Sequence, residues 1–148
     1  MKITAKIPAV TTFDLPSGDY RCKLIRTKPI QRQTAKGNQE WIRLVFEVNV
    51  PSLRNQYPCA GRNFVLDLNP GSDLRNFLES WLGRDYFITR SGQDLDFETL
   101  IGVEGDISLS HYEGANYDKP LVIIENIHPP GTIKVAAMPE PESSTTNK

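Results

Sequence analysis

The side chains best able to do chemistry here are two histidines, His111 and His128, and two cysteines, Cys22 and Cys59. Neither histidine stands near a cysteine at the short spacing that zinc requires. Two widely separated thiols read as reduced side chains, not as a disulfide framework. Asp94, Asp96 and Glu98 occupy alternate positions, as at the start of a calcium loop. That loop needs glycine at its sixth position and glutamate at its twelfth, where this chain has Thr99 and Gly105. Asp96 is better suited to capping a helical turn. There is no G-x-S-x-G segment, no phosphate-cradling glycine loop and no clustered carboxylate pair. These residues argue against an enzyme and imply no metal and no cofactor.

Charge carries more information. The formal net charge of the 148 residues is −1, which argues against a protein that coats nucleic acid with its whole surface. Yet Arg21, Lys23, Arg26, Lys28, Arg32, Lys36 and Arg43 all fall between Tyr20 and Leu44, opposed there only by Glu40. A local field of this kind captures anions even on a nearly neutral molecule. No apolar run approaches the roughly 18 residues needed to span a membrane, and the opening "MKITAKIPAV" has too short an apolar core for a secretory signal. The expected compartment is the cytoplasm.

The elements that position these charges follow from periodicity. "SGDYRCKLIRTKP" alternates Tyr20, Cys22 and Leu24 against Arg21 and Lys23, the signature of a half-buried strand. "EWIRLVFEVNVP" sets Ile42, Leu44, Phe46 and Val48 on one face and Trp41, Arg43, Val45 and Glu47 on the other. "GRNFVLDLNPG" predicts a third strand with Phe64, Leu66 and Leu68 inward. The spacing then changes: Leu74, Phe77, Leu78, Trp81 and Leu82 form one helical stripe, with Ser72 or Asp73 as cap and Gly83 beyond the end. "DFETLIG" predicts a single capped turn. "VEGDISLSHY" predicts a fourth strand, and "PLVIIENI", nearly continuous in apolar residues, a fifth that is buried on both faces.

Strand, strand, strand, helix, strand, strand is the order of a five-stranded antiparallel OB-type barrel, mainly β, with one α-helix between strands three and four. Residues 1–131 form this domain. Residues 132–148, ending in "MPEPESSTTNK", have the composition of a flexible tail.

An OB barrel holds its ligand across strands two and three, between the loop joining strands one and two and the loop joining strands four and five. The first of these is "RTKPIQRQTAKGNQ", followed by Trp41 and Arg43; the second is "HYEGANYDKP". Cations interleaved with aromatics suit single-stranded nucleic acid, because Lys and Arg neutralise phosphates while rings stack on unpaired bases. Arg26, Lys28, Arg32, Lys36 and Lys119 are thus candidate phosphate contacts. Trp41, Tyr112 and Tyr117 are candidate stacking rings, and Arg43 suits either role. The same residues also have structural readings: Trp41 covering a barrel end, Tyr112 packing on Tyr117, and Arg43 pairing with Glu47 or Asp67. A protein-interaction module using the same face to grip a replication or recombination partner is the rival function.

The runs "GDY", "GNQEWIRLVFEV", "LRNFLESWLGRDYF", "DFETLIGVEGDISLSHYEG" and "IIENIHPPG" resemble a group of bacteriophage and prophage single-stranded DNA-binding OB-fold proteins, over roughly residues 16–131. The resemblance implies a non-catalytic protein of a bacterial host's cytoplasm that supports phage DNA replication or recombination. Phage or host replication and recombination proteins would be further partners. One departure stands out. Bacterial proteins of this function recruit partners through an acidic tail with an apolar tip, whereas "EPESSTTNK" has two glutamates and ends on Lys148.

Overall fold

The computed structural model describes residues 3–5, 15–51, 57–112 and 121–138. Its centre is one five-stranded antiparallel sheet in the order β3-β2-β1-β4-β5. The strands are β1 (Gly18–Thr34), β2 (Gly37–Val48), β3 (Cys59–Val65), β4 (Glu104–Tyr112) and β5 (Leu121–His128). Helices α1 (Asp73–Leu82) and α2 (Arg84–Thr89) and a 3-10 turn (Phe97–Leu100) lie between β3 and β4. The protein is mainly β, and its strand order, with a helix between the third and fourth strands, agrees with the OB-type layout. No helix among the described residues is long and apolar enough to cross a membrane.

The inner face of the sheet follows from alternation. Cys22 and Leu24 of β1, Ile42, Leu44, Phe46 and Val48 of β2, and Ala60 and Phe64 of β3 are all buried. Helix α1 covers them with Leu74, Phe77, Leu78 and Trp81. Ser72 caps it by accepting from the Arg75 N–H at 3.1 Å. Trp81 packs edge-on to Phe46 with centroids 5.4 Å apart, and Phe77 lies 4.8 Å from Phe64. Gly105 makes room for this contact: a Cβ there would stand 2.8 Å from Trp81 Nε1, which donates to the Glu104 carbonyl at 2.8 Å. Asp96 caps the 3-10 turn through the Glu98 N–H.

Several expectations need correcting. The third strand starts earlier than its apolar alternation suggests and stops at Val65, so Leu66 is left exposed. The fifth strand is not buried on both faces, because Glu125 and Asn126 are exposed while Ile124 and Ile127 are buried. Helix α2 has no counterpart in the expected order. The barrel is also not closed by backbone pairing, since β3 and β5 are the two ends of the sheet. Side chains bridge that seam instead. Arg62 of β3 donates to the Ile124 and Glu125 carbonyls at 3.1 and 3.4 Å while gripping Asp73 at 2.9 Å. Ser80 of α1 donates to the Ile127 carbonyl at 2.6 Å.

The chain also stays attached beyond Gly131. The N–H groups of Gly131 and Ile133 donate to Asp106 Oδ2, and Asn49 donates to the Ala136 and Ala137 carbonyls. Residues 132–137, which composition assigns to the tail, therefore lie against the sheet. Residues 139–148 fall outside the described residues.

Candidate nucleic-acid interface

The basic segment expected to be a loop is a β-ribbon. β1 continues to Thr34 and β2 begins at Gly37, so only Ala35 and Lys36 form the turn. Arg26, Lys28 and Arg32 thus sit on a strand and not in a loop. A strand presents only alternate residues on each face, so which face carries the charge depends on phase.

That phase is set by a bulge. Before it, Cys22 pairs with Val48 and Leu24 with Phe46; after it, Arg26 pairs with Val45, Lys28 with Arg43, Ile30 with Trp41 and Arg32 with Gln39. Ile25 is the extra residue. Such an insertion moves every later side chain to the opposite face. Leu24 fixes the site, its N–H donating to the Val103 carbonyl at 3.1 Å and its carbonyl accepting from Gly102 N–H at 2.7 Å. As a result Arg26, Lys28 and Arg32 share the outer face with Arg43 and Trp41. Without the bulge Thr27, Pro29 and Gln31 would take their place.

Trp41 is half-buried on this face, opposite Ile30 on one side and Val65 on the other. Its Nε1–H donates to Gln39 Oε1 at 2.9 Å, and the Arg32 guanidinium lies over its ring at 4.5 Å. This is a cation–π contact between two of the expected site residues. Arg43 donates from Nη1 to Asn63 Oδ1 at 3.0 Å and makes no pair with Glu47 or Asp67. Among the described residues Arg26, Lys28, Arg32, Lys36 and Arg43 have no carboxylate within salt-bridge distance.

Other arginines are differently placed. Arg21, Arg62, Arg75 and Arg84 all face carboxylates. Arg21 binds the fully buried Asp106 at 2.6 Å; that hydrogen bond holds its pKa above the ordinary value. Arg21 therefore leaves the set of available charges that composition suggests. The field of the open face is felt at Cys59, whose thiol is pushed up by partial burial and by Glu47 and drawn down by Arg26.

Tyr112 ends β4 and is 53% exposed. It pairs with Leu121, and the next residue of β5, Val122, shares a cleft with Arg43. The β4–β5 hairpin thus reaches the rim of the same face. Tyr117 and Lys119 lie outside the described residues. His111, the last residue but one of β4, is bound to the Leu15 carbonyl, and His128 Nδ1 lies 3.4 Å from Ser80 Oγ. Sequence reasoning missed Asn63 and Gly61, which contact the Arg43 guanidinium. A glycine inside a strand was the available signal, since it often marks close approach. Compared with known proteins, the chain matches no family model and no curated sequence.

Proposed function

We propose that this protein binds single-stranded DNA without catalysis, across the outer face of β1, β2 and β3. The observation that carries the reading is the alignment of Arg26, Lys28 and Arg32 along one side of one strand, beside Trp41 and Arg43, with no carboxylate among the described residues to neutralise them. Arg26 and Lys28 stand two residues apart, about 7 Å, and Arg32 lies four residues further on, about 13 Å beyond Lys28; these are one and two phosphate steps of an extended single strand. A half-exposed indole between them offers a stacking surface that duplex bases cannot reach. The role is that of an accessory to phage DNA replication or recombination in the bacterial host cytoplasm.

The test is binding of a labelled oligothymidine and of a duplex of equal length at two salt concentrations. Binding of the single strand is expected to be tighter and to weaken steeply with salt. Equal affinity for both forms at about 0.15 M salt would remove the stacking mechanism.

A further inference from the structure

We propose that the outer mouth of the β3–β5 seam is a phosphodiester subsite, with Arg43 as its binding guanidinium and Gly61 as the residue that seats it. The proposal rests on the single-strand reading of the neighbouring face and extends the strand's path beyond Trp41.

β3 and β5 run past each other without a shared ladder, and a cleft of about 420 Å³ opens between them. Arg43, Gly61 and Asn63 line one wall, Val122, Ile123 and Glu125 the other. Arg62 belongs to the inner side of this seam, where Asp73 and two β5 carbonyls occupy it. Glu125 is the one carboxylate in the lining among the described residues, and its Oε1 takes the Ser110 hydroxyl.

Arg43 is held from two directions. Asn63 Oδ1 takes Nη1, leaving Nε and Nη2 without a hydrogen-bond partner among the described residues. These two nitrogens form the side-on edge of the guanidinium, with parallel N–H bonds matched to two oxygens of one phosphate. Beneath them is Gly61, where a Cβ would lie 2.5 Å from Nη2, 2.7 Å from Cζ and 2.9 Å from Nε. Gly61 is not among the glycines with positive φ. Its backbone would accept alanine, so what a side chain there would have to do is displace the guanidinium. The glycine fixes the height of the charge above the sheet, and the asparagine fixes its rotation.

Oligothymidine binding by the wild type, Arg43→Gln, Gly61→Ala and the double variant, each at several salt concentrations, tests this. Each single variant is expected to weaken binding about tenfold, the scale of a charge-assisted hydrogen bond. Each should also reduce the salt slope by about 0.7, the share of one phosphate on a single strand. The double variant should be no weaker than Arg43→Gln. Gly61→Ala removes no charge, so its reduced slope can arise only from the displaced guanidinium. A loss of affinity with an unchanged slope, or losses that add in the double variant, would overturn the subsite. Should Gly61→Ala fail to fold, Asn63→Ala carries the same expectation when Arg43 is present and none when it is absent. If the wild type binds the single strand more tightly than duplex but all four proteins share one slope, the subsite falls alone. If the wild type binds no single strand, the reading of the whole face falls with it.

Discussion

The two halves of β1 carry the same kind of side chain to opposite ends. In the first half Arg21 points outward and meets Asp106 and Glu104 of β4, and the segment from Gly131 to Ala137 runs over that region, tied to Asp106 and Asn49. In the second half Arg26, Lys28 and Arg32 point outward and meet no acid among the described residues. Of the five cations of β1, one is held by carboxylates, whereas Lys23, Arg26, Lys28 and Arg32 have none within salt-bridge distance among the described residues. A count of basic residues therefore says little until each cation's partner is known. A neutralised arginine serves the fold, whereas an unneutralised row keeps its field for a ligand.

The largest effect is expected from disturbing the closed half. Asp106→Ala leaves Arg21 without its main partner and strips an acceptor from two backbone N–H groups. Removing one member of a buried pair costs about 3–5 kcal/mol, so urea denaturation should show a loss of that size. Oligonucleotide affinity, measured where the variant is still folded, should be unchanged. A clear loss of affinity with intact folding would place Arg21 in the ligand site and erase the contrast.

The open half should respond in the opposite sense. Charge reversal at Lys28, Arg32 and Lys36 is expected to leave stability within about 0.5 kcal/mol per site. Binding should fall by up to about 3 kcal/mol, at roughly 1 for each exposed contact, and the salt slope should drop by about 2. An unchanged slope in a salt titration would mean that these cations are solvated and nothing more.

The two tryptophans sharpen the same division. Trp81 is 2% exposed beneath the sheet, while Trp41 stands on the outer face under Arg32. Trp41→Ala should weaken binding by about 1–3 kcal/mol with little effect on stability. A protein keeping Trp41 alone should lose emission on adding oligothymidine. Binding without quenching would assign Trp41 to structure.

Much of the fold was legible because apolar period is a local signal. The Leu74, Phe77, Leu78 and Trp81 stripe and the inward set from Ile42 to Val48 can be read without knowing what they pack against. The bulge at Ile25 was not legible. It is fixed by Leu24 pairing with Gly102 and Val103, contacts made by residues far along the chain. Reading "RTKPIQRQTAKGNQ" as a loop had the same cause: its Gln, Thr and Lys are weak strand formers, and pairing with β2 overrides their preference. Trp41 and the basic residues were singled out as candidates from type and proximity. Arg21 was counted with them because its buried partner lies 85 positions away.

The smallest expected effect reads the charge of the open half through a thiol. Arg26 draws the Cys59 pKa down against burial and Glu47, which raise it. Thiolate is the reactive form, so Arg26→Gln should raise the pKa further and modestly slow alkylation of Cys59 near pH 8. A bound strand that neutralises Arg26 should slow it in the wild type. If that slowing is electrostatic, the strand should add little to the already slow Arg26→Gln protein; if the strand simply covers the thiol, both proteins should slow alike. Cys22 supplies the control from the closed half. Burial pushes its thiol from 9.0 up to about 12, so it should stay unmodified while the protein is folded. The sign follows from the same shift: an unfolded thiol ionises near 9 while the folded one remains neutral. The stability Cys22 contributes is thus intact below pH 9 and declines as pH rises toward 12. Alkylation of Cys22 at the rate of Cys59 near pH 8 would show that the closed half opens as readily as the open one, and the division of β1 would not hold.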